Sequence, residues 1–172
     1  MSNIGKLNIK VPRGVSVKIE PNHIVVEGKL GKLTQPISGE VNFVLKDNSL
    51  ISNSQNKTLW GTENRNINNA IIGVSQGFKK RLNLVGIGYR VQLDKKTLTL
   101  KLGLSHDVTY VVPEEIEVIC PKPDQIILLG TKKDYLNKIA SNIRNLKKPD
   151  SYKGKGILFD NEHLILKEGK KK

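Results

Sequence analysis

The stretch Thr58–Gln76, TLWGTENRNINNAIIGVSQ, decides how the rest of the chain is read. Within it Ile67, Ala70, Ile71 and Val74, continued by Phe78, recur at the i, i+3, i+4, i+7 spacing that lines one face of a helix, and Gly77 stands where such a helix would stop. Trp60, beside Gly61, reads as an anchor of the helix start against a sheet rather than as a ring for stacking bases. On the N-terminal side the pattern changes to period two. Val15–Ile19, Ile24–Val26 and Val41–Leu45 read as short antiparallel strands, punctuated by Asn22, Gly28, Gly31 and Asp47-Asn48. A run of short strands closed by one amphipathic helix is the plan of a small α+β unit.

The second half repeats that plan. Arg81–Leu93, Leu98–Leu102, Val108–Val112, Ile116–Ile119 and Ile126–Leu129 read as strands. A second helix follows, with Thr131 and Asp134 as a capping-box-like start and Leu136, Ile139, Ala140 and Ile143 as its apolar stripe, ending before Pro149. Sliding the chain on itself by about 75 residues lays Ile24-Val25-Val26 on Leu98-Thr99-Leu100 and Leu50-Ile51 on Ile126-Ile127, with Val41-Asn42-Phe43 near Ile116-Glu117-Val118. The sequence therefore predicts an α+β fold of two tandem copies of one small domain, each a mostly antiparallel sheet with one packed helix. The boundaries expected are 1–80, 81–148 and a basic tail over 149–172.

The chain has 172 residues with 29 Lys and Arg against 16 Asp and Glu, a net charge of +13. With 37% apolar residues it has the means to bury a core, so the charge belongs to a folded surface. The longest apolar run, Ile126–Leu129, is far below the roughly 18 residues of a spanning helix, so no membrane partner is expected. The N-terminal stretch carries no secretion or import pattern, and the protein is expected to work where it is made. One cysteine, Cys120, cannot close an intrachain disulfide and reads as a small buried hydrophobe. His23, His106 and His163 are scattered without ligand spacing, so neither metal nor cofactor is expected. Of the basic residues 24 are Lys and 5 Arg, beside 16 Asn and 18 Ile, a skew that points to an A/T-rich genome. Lysines act as point charges on phosphates more than as the forks that read base edges.

Enzyme signatures fail one after another. Gly86-Ile87-Gly88 is not a dinucleotide fingerprint, because Val91 holds the third glycine position and no helix follows; these glycines read as strand positions making room for another backbone. Ser105-His106-Asp107 is contiguous, whereas triad groups converge from separate segments. No nucleophile elbow or phosphate-binding loop occurs. The chain is read as no enzyme and as taking no small-molecule substrate.

Residues 147–172 hold eight basic and four acidic residues, the densest excess per residue in the chain, and read as a flexible lysine arm suited to a fixed polyanion. Within the arm, Tyr152-Lys153-Gly154-Lys155-Gly156 combines glycines that let a backbone approach phosphate, lysines around it, and a tyrosine able to stack or donate. Alone, such a pentapeptide reads first as a solvated turn with incidental lysines.

Extended to Lys148-Pro149-Asp150-Ser151-Tyr152-Lys153-Gly154-Lys155-Gly156-Ile157, the segment resembles the signature of the large-ribosomal-subunit protein six family. So do Ile4-Gly5-Lys6, the Val26-Glu27-Gly28-x-x-Gly31 turn, Gly61-Thr62 with Asn68-Asn69 and Gly73-Val74, Leu84-Val85-Gly86-Ile87-Gly88-Tyr89-Arg90, Leu102-Gly103-x-Ser105-His106 and the closing Lys167–Lys172, in the family's order. The resemblance implies a duplicated α+β protein of the large subunit of a bacterial or organellar ribosome, bound to large-subunit rRNA near the sarcin–ricin loop. Neighbouring ribosomal proteins would be partners and translation factors would lie close by. It also implies rRNA contact at Tyr152, Lys153, Gly154, Lys155 and Gly156, joined by Lys147, Lys148, Arg90, Lys170, Lys171 and Lys172, and by Lys79, Lys80 and Arg81. Two positions depart from the family pattern: Asp107 where a proline is usual, and Asn64, with Arg65 beside it, where a basic residue is common in the first helix. A free-standing basic RNA-binding regulator or RNA chaperone is the alternative.

Overall fold

In the computed structural model the described residues are 8–46 and 48–169, so Ile4-Gly5-Lys6, Asp47 and Lys170–Lys172 lie outside them. The helix that organises the first half, α1, runs Lys57–Ser75. The side chain of Asn56 caps it by accepting from the Thr58 N–H at 3.3 Å. At the other end Gly77 takes φ +74, and its N–H donates back to the carbonyls of Ile72 and Gly73, so a glycine ends the helix as its position in the sequence predicts. Ile67 and Val74 on the inner face are fully buried, each side chain contributing about 2 kcal/mol by leaving water.

The chain divides into two compact units, Met1–Phe78 with Thr131–Lys133, and Lys79–Gly130 with Asp134–Lys172. In the first, β2 (Ser16–Ile19), β3 (His23–Gly28) and β4 (Gly31–Pro36) form an antiparallel meander with β3 in the centre. A second sheet has β6 (Ser49–Asn53) between β1 (Ile9–Lys10) and β5 (Asn42–Lys46). Ile24, Val26, Leu50, Ile67, Ile71 and Val74 join both sheets to α1 in one core. The β3–β4 hairpin touches the helix backbone directly: the Leu30 N–H donates to the Val74 carbonyl at 3.1 Å, and a Cβ on Gly28 would stand 2.7 Å from that oxygen. Trp60 anchors the start of the helix, its indole N–H donating to Ser52 Oγ on β6 at 2.7 Å.

The second unit repeats the plan. β8 (Arg90–Asp94), β9 (Thr97–Lys101) and β10 (Val108–Val111) make the meander, and β12 (Gln125–Gly130) lies between β11 (Glu117–Lys122) and β7 (Phe78–Val85). The orders β1-β6-β5 and β7-β12-β11 correspond, as do β2-β3-β4 and β8-β9-β10. The second helix, α2, covers Lys133–Asn145 and buries Leu136, Ile139, Ala140 and Ile143. It begins two residues past Thr131 and carries Asp134 in its first turn, where a negative charge suits the helix dipole. The expected α+β class with tandem duplication is the fold observed.

Three local expectations are corrected. Arg81–Leu93 is two strands rather than one, because the chain turns at Gly86–Tyr89: Gly88 has φ +75, the Tyr89 N–H donates to the Gly86 carbonyl, and a Cβ on Gly86 would meet the Tyr89 ring at 2.8 Å. Those glycines therefore make room for an aromatic ring and a turn, not for another backbone. Gly31–Pro36 is itself a strand; its side chains face mostly outward, so it shows little apolar signal. The third concerns the tail. Residues Gly156–Phe159 form β13, paired antiparallel to the outer side of β7 with Gly156 opposite Val85 and Phe159 opposite Leu82. Ile157 is fully buried there, so this part of residues 149–172 is an edge strand of the domain rather than a flexible arm.

Candidate nucleic-acid interface

The loop from Lys147 to Gly156 joins α2 to β13, and its shape is set by its own backbone. α2 finishes in a tight turn, with the Leu146 N–H donating to Ile143 and that of Lys147 to Arg144. The Lys147 carbonyl then accepts from Ile157 N–H at 3.0 Å, so the loop closes on itself where β13 begins. Asp150 holds the interior at four points. Its carboxylate accepts from the N–H groups of Tyr152 (3.2 Å) and Lys153 (3.1 Å), its carbonyl accepts from Gly154, and its N–H donates to the Lys155 carbonyl. The aspartate draws in backbone donors and closes a short ring.

Both glycines of the pentapeptide are required by this ring. Gly154 has φ +68, and a Cβ on Gly156, at φ +154, would stand 2.5 Å from the Cα of Pro149. The sequence suggests room for a phosphate at both; the structure uses Gly156 as room for the chain's own return. Farther on, the Lys167 N–H donates to the Ser151 carbonyl at 2.8 Å, and Leu164 and Leu166 come within reach of Gly154. The segment leading to the terminal lysines is therefore laid over the loop.

On this ring Lys148, Tyr152 and Lys153 are exposed, Lys147 and Lys155 half-buried, and none of the four lysines has an ion-pair partner among the described residues. Arg90 is exposed at the start of β8, opposite Lys101, and follows the Gly86–Tyr89 turn that leaves β7 beside Gly156. Lys79, Lys80 and Arg81 lie within β7, not in a linker, and with Phe159, Asp160, Asn161 and Glu162 they line an open cavity of about 550 Å³. Lys80 and Arg81 are less available than the sequence implies, while Lys79 is exposed. Arg81 is paired with Asp160 at 2.9 Å, and the Lys80 ammonium lies 4.5 Å from the centre of the Phe159 ring. Thus the structure brings Lys147, Lys148, Tyr152, Lys153 and Lys155 together on one loop and sets Arg81 against Asp160 and Lys80 against Phe159.

Two features escape the sequence reading. Asp150 organises the loop without standing out, since a lone aspartate before a Ser-Tyr-Lys run signals only a turn. Arg144 on α2 is gripped by Glu162, with Nε to Oε2 at 3.2 Å, and stacks 5.6 Å from Phe159. The Arg144 guanidinium holds the Glu162 carboxyl below its ordinary pKa, helped by the Phe159 N–H. At the other positions weighed for chemistry, Asp107 is ion-paired with Lys101 at 3.5 Å, and burial pushes the half-buried Cys120 thiol up, away from reactive thiolate. Asn64 is buried in α1 while Arg65 beside it is exposed. Among the described residues no group of three or more His, Cys, Asp or Glu could hold a metal, and no helix is long and apolar enough to cross a membrane.

Duplicated α+β units, one of them carrying a lysine loop closed by its own hydrogen bonds, define a basic protein of one recurrent architecture. The sequence profile described as Ribosomal protein L6 matches residues 85–160, which span the Gly86–Tyr89 turn, α2, the loop and β13. Three relatives extend the likeness over the whole chain. The large ribosomal subunit protein uL6 of Rhodospirillum rubrum is 41% identical with all of both chains covered. That of Spiroplasma citri is 45% identical over 99% of this chain and 98% of its own. The uL6m protein of Reclinomonas americana is 43% identical with all of both chains covered. The chain belongs to the ribosomal protein L6 family, that of large ribosomal subunit protein uL6.

Proposed function

We propose that the chain is a structural constituent of the large subunit of a bacterial or organellar ribosome, binding large-subunit rRNA through the Lys147–Gly156 loop and holding rRNA tertiary structure in place. One observation carries this: on a chain of net charge +13, four lysines without ion-pair partners among the described residues stand on a loop already closed by its own hydrogen bonds. Lysines that neutralise phosphates release condensed counterions, and a loop that is ordered before binding loses little entropy on docking. In this account the N-terminal repeat, 1–80, is scaffold, while the C-terminal repeat, 81–148, and the segment 149–172 face RNA. Arg90, Lys79 and Lys170–Lys172 are further contacts in this proposal, and Lys80 and Arg81 contribute less because of their internal partners.

Position near the sarcin–ricin loop, with translation factors and other ribosomal proteins as neighbours, rests on the family resemblance. The role is architectural and needs no turnover. The test is sedimentation of large subunits through a high-salt cushion together with crosslink mapping from the loop. The chain is expected to stay with the subunit and crosslink near the sarcin–ricin loop. Release at low salt, or crosslinks to a remote part of the rRNA, would overturn the corresponding half of the proposal.

A further inference from the structure

The chain has one Trp, four Tyr and three Phe, all among the described residues, and their exposure is uneven. Phe43 is in the core, Trp60 is tied to Ser52, the Tyr89 ring lies against Gly86 and Gly103, and Phe159 has the Lys80 and Arg144 cations over its ring. Tyr152 alone is exposed, with 59% of its surface open. Its backbone is also among the most constrained in the loop: its N–H is held by Asp150, the next N–H by the same carboxylate, and the preceding carbonyl by Lys167. A ring displayed on a fixed backbone, with Lys153 and Lys155 following and Lys147-Lys148 on the other side of the ring closure, is the arrangement that takes an unstacked base and its flanking phosphates. A regular duplex hides the faces of its bases and offers a flat ring only sugar and charge.

We infer that Tyr152 is a stacking platform, and that the loop takes a nucleotide whose base is out of the helical stack while the lysines hold the adjacent phosphates. This rests on the RNA-binding role proposed above and specifies the RNA feature recognised. Stacking tolerates any base, so the preference is for an unpaired nucleotide and not for its identity.

The test uses the full chain and three RNA hairpins of one sequence: fully paired, with a single bulged adenosine, and with an abasic residue at the bulge. The bulged hairpin is expected to bind roughly tenfold more tightly than the other two. Tyr152→Leu should abolish that preference and Tyr152→Phe should retain it, both with unchanged circular dichroism since the side chain is exposed. Lys153→Ala should flatten the salt dependence while leaving the preference for the bulge. Equal binding of the three hairpins, or a preference that survives Tyr152→Leu, would overturn the stack and leave the phosphate contacts standing. Absence of binding to all three, and to large-subunit rRNA, would instead overturn the RNA-binding role beneath it.

Discussion

Gly156 crosses Pro149 so closely that a Cβ on the glycine would lie 2.5 Å from the proline Cα and 2.7 Å from its nitrogen. Backbone atoms cannot rotate away as a side-chain tip would, and the glycine also has φ +154, which disfavours an L side chain. The crossing joins the end of α2 to β13 and so sets the loop that carries Lys153 and Lys155.

Gly156→Ala is therefore expected to destabilise the chain by about 3 kcal/mol, the sum of an overpacked contact and a strained φ. The urea midpoint should fall at unchanged slope. RNA affinity should fall as well, although no charge is removed. A midpoint equal to that of the unchanged chain would contradict the close crossing.

The pair Arg144–Glu162 makes part of the stability depend on pH. The folded-state pKa of Glu162 is lowered, first by the hydrogen bond from Arg144, relative to its ordinary 4.5. The unfolded chain then takes up that proton more readily than the folded one. The contribution is present in full above 4.5 and is lost as pH falls through the folded value. Glu162→Gln should unfold at lower urea than the unchanged chain at pH 7, and the gap should close as pH is lowered past 4.5. A gap independent of pH would assign the effect to packing on Phe159.

Glu63 ties a loop to the helix in the first unit. It is buried on α1, and its Oε1 accepts from the N–H of Ser38 at 2.8 Å and from the Ser38 hydroxyl. Glu63→Ala removes the acceptor for two donors in the segment between β4 and β5, and should cost about 2 kcal/mol by urea unfolding. RNA binding should keep the same salt dependence, because the loop belongs to the other unit.

Much of the fold was legible because its strongest signals are periodic. Ile67, Ala70, Ile71 and Val74 mark α1 by spacing alone, and Ile24-Val25-Val26 repeats as Leu98-Thr99-Leu100 because β3 and β9 are the central strands of equivalent meanders. Two edge strands were illegible for the same reason: β4 has no clear apolar alternation, and β13 is four residues behind a Gly/Lys run that mimics disorder. Of the candidate site, residue types and positions were legible, and geometry was not. Nothing local in the sequence tells that Gly156 answers to Pro149, or that Lys80 and Arg81 face Phe159 and Asp160, since these partners meet only when β13 pairs with β7.

The central claim is that Lys153 and Lys155 hold phosphate from a loop shaped before binding. Its most direct test is the affinity of the full chain for large-subunit rRNA measured across a KCl series, with and without Lys153→Ala and Lys155→Ala together. Each phosphate contact contributes about 0.7–0.9 to the slope of log K against log salt, so the double variant should bind more weakly and flatten the slope by about 1.4–1.8. An unchanged slope would remove both lysines from the interface and contradict the account.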